Sequence, residues 1–393
     1  MIYAAILGYG TIGSGVYEVL DKNKDIIAKN AGDEIKVKYV LDLREFPGDP
    51  CESVLTHDFG DILNDPEVSI VCETMGGTGA AYKFTKAALE AGKSVVTSNK
   101  AVVAAFGPEL LSAAKEKNVS YLFEASVGGG IPVLRPLLEC VTADEIEEIT
   151  GILNGTTNYI LTKMYNEGSA FEPTLKEAQA LGYAEADPSA DIEGADPCRK
   201  IAILASLANG RFVDFEQISC EGITKITDAD TAFAKAFGKK IKLVGTYRKI
   251  DEKLYAQVAP VLMGAENPLY AVDDVMNAVL VKGNMLGDVM FYGAGAGKLP
   301  TASAVVSDMI DIVKKGLCNI DIKMAPEALA LEDTGLLKSR YYIRAKKSAA
   351  FAGEAGLEAF PDEAAVITEE LSGAQLKTYI KEIPDIKNII KVL

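Results

Sequence analysis

The sequence predicts an α/β chain: a doubly wound, mostly parallel sheet at the front, an α+β region behind it and a small α+β tail. Three observations carry this. Apolar strand-like runs alternate with amphipathic helical runs through residues 1–132, the pattern of stacked βαβ units. A glycine turn, "GYGTIG", joins the first strand to the first helix. At 393 residues the chain exceeds what one ordinary core fills, so two or three domains are expected.

The first strand is "IYAAILG", residues 2–8, and the turn after it spaces Gly8, Gly10 and Gly13 as G-x-G-x-x-G before a helix that starts near Thr11 and Ile12. That spacing suits a dinucleotide. One glycine permits the tight turn, one lets backbone approach a pyrophosphate, and one lets helix pack on strand, while the helix start offers free N–H groups to the anion. This is a Rossmann-type pattern. Next come the strand "IKVKYVLDL", the strand "VSIVCETMGG", the helix "YKFTKAALEAG", the strand "SVVTSNKA" and the helix "ELLSAAKEKN" before "VSYLFEAS". Ligands in such sheets lie beyond the carboxyl ends of the strands, which places Thr74, Met75, Gly76 and Gly77, and Ser98 to Lys100, at the crevice. After the second strand an acidic residue favours NAD and a basic one NADP. This chain carries both, Asp42 and Arg44, and leaves the choice open.

Composition narrows the function. Net charge of −16 argues against nucleic acid and against an anionic membrane surface, both of which need concentrated positive charge. No run is long and apolar enough for a membrane span, and the N-terminus lacks the basic start of a signal peptide, so the cytoplasm is expected. The six cysteines are scattered without a C-x-x-C pair, as in a protein of a reducing compartment. His57 is the single histidine, so a histidine acid or base would rest on that one candidate.

The second region opens on "EIEEITGILNGTTNYILTKM", a strand, a turn and a helix, with Asn154, Thr156, Thr157 and Asn158 clustered at the junction as the lining of a cavity. Then comes "AQALGYAEADPSADIEGADPCRK", residues 178–200. The helix before it should stop at Gly182. The one after should start with Asp196 as N-cap and Pro197 as its first residue, and should end at Asn209 and Gly210. Lys200 falls on the same side of that first turn as Asp196. A lysine there opposes the helix dipole, at the head of an apolar helix where unpaired charge is costly. An ion pair with Asp196 or Asp191 is one reading; a proton donor held by carboxylates is the other.

This stretch resembles the homoserine dehydrogenase family, with Ala178, Gly182, Tyr183, Ala184, Asp187, Pro188, Asp191, Ile192, Gly194, Asp196 and Lys200 filling its pattern. "ILGYGTIGSGV", "VVTSNKA", "FEASVGGGIP", "GILNGTTNYIL" and "GAGAGKLPTASAVVSD" resemble the family in the same order, over residues 1 to about 320. The resemblance implies NAD(P)-dependent interconversion of L-aspartate 4-semialdehyde and L-homoserine in threonine and methionine biosynthesis. It implies Lys200 as proton donor, Lys100 between cofactor and substrate, and Glu185 and Asp196 on the substrate, with Asp191, Gly182, Tyr183 and Thr156 in the same site. It implies Gly297 as a further cofactor contact, a sodium ion on Glu124, Val127, Gly129 and Ile131, and a homo-oligomer, dimer or tetramer.

The implied division is 1–132 for the dinucleotide domain, completed by about 300–320, then 133–299 for catalysis and dimerisation, and 335–393 for the tail. "RYYIRA", "EAAVITEE", "GAQLKTYIKEI" and "IKNIIKVL" read there as strand, strand, helix and strand, and the last three resemble the second half of an ACT regulatory module. Residues 347–363 are too few for its first half. A catalytically silent redox sensor, and another semialdehyde oxidoreductase using Cys198 as nucleophile, are the competing functions. A sensor has no use for Lys200 beside Asp196, and no histidine is at hand to activate the cysteine.

Overall fold

The computed structural model describes residues 1–348, 351 and 355–393. They form two compact units: one holds residues 1–143, 202–215 and 293–329, the other 144–201, 216–292 and 330–393.

The first unit is built on six parallel strands: β1 (Ile2–Leu7), β2 (Ile35–Leu41), β3 (Leu55–Thr56), β4 (Val68–Glu73), β5 (Ser94–Thr97) and β6 (Tyr121–Leu122), in the order β3-β2-β1-β4-β5-β6. The order reverses between β1 and β4, which makes that junction the switch point of a doubly wound sheet. Between the strands run α1 (Thr11–Lys22), α2 (Lys24–Ala31), α3 (Phe59–Leu63), α4 (Gly79–Glu90) and α5 (Lys100–Glu116), and α6 (Leu134–Glu139) follows β6. The helix expected at Glu109 begins instead at Lys100. Asn99 accepts from Val102 N at 3.2 Å and starts it, and Pro108 is carried inside the helix rather than ending an earlier loop.

The second unit is built on a mixed sheet. Its strands are β7 (Ile146–Ile152), β8 (Ser219–Cys220), β9 (Lys240–Ile250), β10 (Lys253–Met263), β11 (Met276–Gly283), β12 (Gly287–Ala294), β13 (Arg340–Lys346), β14 (Ala355–Leu357), β15 (Phe360–Ile367) and β16 (Ile386–Val392). They run β12-β11-β7-β9-β10-β16-β13-β15-β14, with β8 beside β10. The helices are α7 (Gly155–Glu167), α8 (Phe171–Ala180), α9 (Ser189–Ile192), α10 (Ala195–Asn209), α11 (Asp228–Ala236), α12 (Lys298–Lys314) and α13 (Gly373–Tyr379). Of these, α10 runs on into the first unit and α12 belongs to it.

The chain returns to the first unit as α12. It lies so close to α1 that a Cβ on Gly15 would sit 2.8 Å from the Lys298 carbonyl oxygen. Ala302, Val305 and Met309 of α12 are wholly buried in one cluster with Val16 and Leu20 of α1. A fully buried Val or Met contributes about 1.5–3 kcal/mol, and Lys298 at the head of α12 adds an ion pair to Glu18 of α1 at 2.7 Å.

The tail is woven into the second unit's sheet. β16 pairs parallel with β10, Val261 opposite Lys391, and β13 lies antiparallel between β16 and β15. The tail's strands, helix and strand fall where the sequence places them, with β14 in addition; part of the shortened stretch 347–363 lies outside the described residues.

Candidate active site

The glycine turn divides its work as the spacing predicts. Gly8 has φ +88°, open to glycine and strained for other residues. A Cβ on Gly13 would sit 1.9 Å from the Gly8 carbonyl oxygen, so only glycine lets α1 approach β1 there. Over Gly10 a Cβ would meet nothing within 4 Å. No side chain caps α1 and its first turn holds no acid, so its N–H groups remain available to an anion. Thr74 Oγ1 donates to the Gly8 carbonyl at 2.8 Å and ties the end of β4 to the turn. This cradle fits a dinucleotide pyrophosphate.

At the end of β2 the two residues that leave the cofactor open are bound to each other. Arg44 Nε donates to Asp42 Oδ1 at 3.0 Å and Arg44 Nη2 to Asp42 Oδ2 at 2.9 Å, while Tyr9 N donates to Oδ2 at 2.8 Å. The guanidinium holds the Asp42 carboxyl well below its ordinary range. His57 lies beside them, one ring nitrogen 2.6 Å from the Asp42 carbonyl oxygen and the other 2.9 Å from Glu45 Oε1.

Beyond β4 and β5 the crevice loops are joined by a residue that the sequence reading passed over. Glu73, the last residue of β4, is fully buried; its Oε1 accepts from Met75 N and its Oε2 from Thr97 Oγ1, each at 2.7 Å. Asn99 Nδ2 donates to the Gly77 carbonyl at 2.8 Å, and Asn99 N to Thr97 Oγ1 at 2.9 Å. Thr74 to Gly77 and Ser98 to Lys100 are therefore one bonded assembly, and Lys100 opens α5 with its backbone N bonded to the Ser98 carbonyl. Burial pushes the Glu73 carboxyl up to about 7, against the pull of Thr97, Met75 and Asn99. A carboxylate closing the apolar run "VSIVC" was the available signal.

Gly297 precedes α12 with φ +119°, and a Cβ on Gly129 would lie 2.3 Å from the Gly295 carbonyl oxygen, so the two glycine loops of the first unit pass backbone to backbone. The Glu124 side chain has a structural task. Its carboxylate takes the N–H groups of Val133 and Leu134 on Oε1, at 2.6 and 2.8 Å, and that of Arg135 on Oε2 at 2.7 Å. Glu124 is the anionic cap of α6. Asp308 backs it by accepting from Glu124 N and Arg135 Nη2, both at 2.9 Å.

In the second unit the acidic stretch folds onto the start of α7. Lys200 Nζ donates to the Leu153 carbonyl at 2.7 Å and to Asp196 Oδ2 at 2.9 Å, and the two side chains are 9% and 5% exposed. Asn154 Nδ2 donates to Asp191 Oδ1 at 2.7 Å and to the same Asp196 Oδ2 at 2.9 Å, while its Oδ1 caps α7 by accepting from Thr157 N. Two carboxylates, one amide and one ammonium thus meet. The helix starts at Ala195, one residue before the expected cap, because the Asp196 side chain faces Asn154 and Lys200 from inside the first turn.

Thr156 Oγ1 donates to the Tyr183 carbonyl at 2.5 Å, and the Tyr183 and Tyr159 rings meet edge to face with centroids 5.1 Å apart. Gly182, at φ +76°, turns the chain out of α8, and Glu185 is exposed on the loop beyond it. The polar cluster at the start of α7 does not act together. Asn158 donates to the Val272 and Met276 carbonyls, and Thr157 bonds back to Asn154, so both serve the fold. Cys198 is paired with the Cys220 thiol, and that hydrogen bond and burial push it up, the opposite of an activated nucleophile.

A family model described as "Homoserine dehydrogenase, NAD binding domain" matches residues 8–124, and one described as "Homoserine dehydrogenase" matches residues 132–310. The homoserine dehydrogenase of Bacillus subtilis is 45% identical over 316 residues, covering 80% of this chain and 73% of its own. That of Pseudomonas aeruginosa is 41% identical over 352 residues, 87% and 81% of the two chains. The crystal structure of a homoserine dehydrogenase from Thiobacillus denitrificans superposes with a TM-score of 0.90 at 34% identity, over 100% of this chain and 98% of that one. A hyperthermophilic archaeal homoserine dehydrogenase in complex with NADPH matches at 0.68 and 30%, over 80% of this chain and 98% of its own. With the cradle, the buried lysine and these matches in agreement, the chain belongs to the homoserine dehydrogenase family.

Proposed function

We propose that this chain interconverts L-aspartate 4-semialdehyde and L-homoserine, with NAD or NADP, and that Lys200 handles the proton. The observation that carries the reading is Lys200 Nζ itself, buried and hydrogen-bonded to Asp196 and the Leu153 carbonyl. The bound reduced nicotinamide supplies a hydride to the aldehyde carbon. As that bond forms, negative charge grows on the aldehyde oxygen, and an ammonium at low dielectric stabilises it and then gives it a proton. In the reverse direction the amine takes the hydroxyl proton as the hydride leaves. Asp196 holds the Lys200 ammonium in place for the reduction. Asp191, Asp196 and Glu185 are the carboxylates for the substrate ammonium, and Asn154 fixes the spacing of the first two.

Gly8, Gly10, Thr11, Ile12, Gly13, Thr74, Met75, Gly76, Ser98 and Gly297 carry the cofactor in this reading, with Lys100 between it and the substrate. A sodium ion at Val127, Gly129, Ile131 and Glu124 would rest on backbone carbonyl oxygens, since the Glu124 carboxylate is committed to α6. The exposed Met290 and Tyr292 on the edge strand β12 support assembly with a second copy. Six cysteines in the thiol form suit work in the cytoplasm. The test is an initial-rate assay with L-homoserine and each oxidised cofactor. Reduction of NAD or NADP is expected, and a folded, cofactor-binding protein active only on other alcohols would overturn the assignment.

A further inference from the structure

Glu73 sits at the switch point, on the last residue of β4, at the carboxyl end where ligands of such sheets lie. The glycine turn and Asp42 belong to β1 and β2, so the adenosine half of a dinucleotide lies over β1–β3. The nicotinamide half is left over β4–β6. Glu73 holds both loops that close that half, through Met75 N on one side and Thr97 Oγ1 on the other. A strand that needed only to be packed would end in an apolar or small residue, because an ionised carboxylate is costly at zero exposure.

We propose that Glu73 is a positioning residue that reads the oxidation state of the cofactor: its carboxylate lies under the nicotinamide half and favours the cationic, oxidised ring over the neutral, reduced one. The inference rests on NAD(P) use by this chain. The ring carries one positive charge when oxidised and none when reduced, so a nearby buried carboxylate changes the affinity of one form and leaves the other almost untouched. At an effective dielectric near 20, such an interaction across about 10 Å is worth roughly tenfold or more in affinity.

Burial already sets Glu73 to ionise near neutrality, so the preference should follow pH. Asp308 on α12, which also acts on Cys72, is a second buried carboxyl, pushed up to about 8, and Glu73→Gln separates its titration from that of Glu73. Two nearer groups will not imitate it. Burial holds the Cys72 thiol and the Tyr121 phenol far above neutrality, where both stay uncharged. Lys100, at the start of α5, is the charged residue nearest in sequence on the adjoining loop.

The experiment is calorimetric titration of the full-length protein with oxidised and reduced forms of the same cofactor between pH 6 and 8.5, without substrate. The ratio of their dissociation constants cancels any titration of a 2′-phosphate. For the unaltered protein the oxidised form should gain roughly tenfold or more on the reduced one as pH rises, with a midpoint near neutrality, and its binding near pH 7 should release protons. Glu73→Gln, which keeps the acceptor for Met75 N, should hold the ratio at its acid value and release none. A ratio independent of pH in the unaltered protein would overturn the proposal without any variant, as would a Glu73→Gln protein that follows the unaltered curve. If neither form binds at any pH, NAD(P) use falls first and this inference with it.

Discussion

Asp196 Oδ2 accepts from Lys200 Nζ and from Asn154 Nδ2, each at 2.9 Å, so one oxygen orients the buried ammonium and is itself oriented by a helix cap. This ties the chemistry of α10 to the start of α7. Asn154→Ala should therefore do two things at once: raise the homoserine KM by roughly tenfold, as the two carboxylates lose their spacing, and cost about 1 kcal/mol of stability through the lost cap. Steady-state kinetics and melting on one preparation check both. A lowered Tm with unchanged KM would make Asn154 a cap and nothing more.

The Asp42–Arg44 pair predicts how cofactor choice can be moved. In Arg44→Ala the Asp42 carboxylate keeps Tyr9 N and loses its cation, leaving uncompensated negative charge at the adenosine ribose. The KM for NADPH should rise more than that for NADH, by about tenfold in the ratio. Equal changes in both would remove Arg44 from the 2′-phosphate site.

Glu73 also has a signature in stability. Its folded value of about 7 lies above that of an ordinary glutamate, so its contribution is fully present below about pH 4.5 and is lost as pH rises through 7. Removing the group should stabilise the protein at alkaline pH relative to acid. Thermal melts of Glu73→Gln against the unaltered protein should show a Tm difference that grows in the variant's favour from pH 5 to 8, on the order of 2–3 kcal/mol at the alkaline end. A difference independent of pH would contradict the buried, near-neutral carboxyl.

The tail is bound into the second unit by charge as well as by strand pairing. Arg344 Nε donates to Asp230 Oδ1 at 2.8 Å, Tyr342 and Asn388 bond to the same carboxylate, and Asp230 is fully buried. Arg344→Ala strands that carboxylate and should cost roughly 3–5 kcal/mol by denaturant unfolding. A module built into the sheet in this way is a poor two-state lever, so threonine at micromolar concentration should leave the rate unchanged. Micromolar inhibition, or a stable Arg344→Ala protein, would show that the tail moves independently.

The parts of this molecule that were legible in the sequence are those where spacing and chemistry coincide. Gly8, Gly10 and Gly13 announce a backbone path, and Asp196 and Lys200, one turn apart, announce a contact. Partners distant in sequence left no such trace. Asn154 reaches Asp191 and Asp196 across 37 and 42 positions, and Glu73 reaches Thr97 across 24, and neither pairing has a period to betray it. Glu124 left no trace of its cap either, since the N–H groups that its carboxylate accepts lie 9, 10 and 11 positions further on. The start of α5 was hidden as well, because the cap at Asn99 lies far ahead of the run that begins at Glu109.

The central claim is that Lys200 moves the proton, and the turnover number of Lys200→Ala tests it most directly. A positioned acid in the transition state is worth about 10²-fold or more, so kcat should fall by at least that factor while cofactor affinity and the folded fraction stay near those of the unaltered protein. A stable, cofactor-binding Lys200→Ala protein that turns homoserine over at close to the original rate would contradict it.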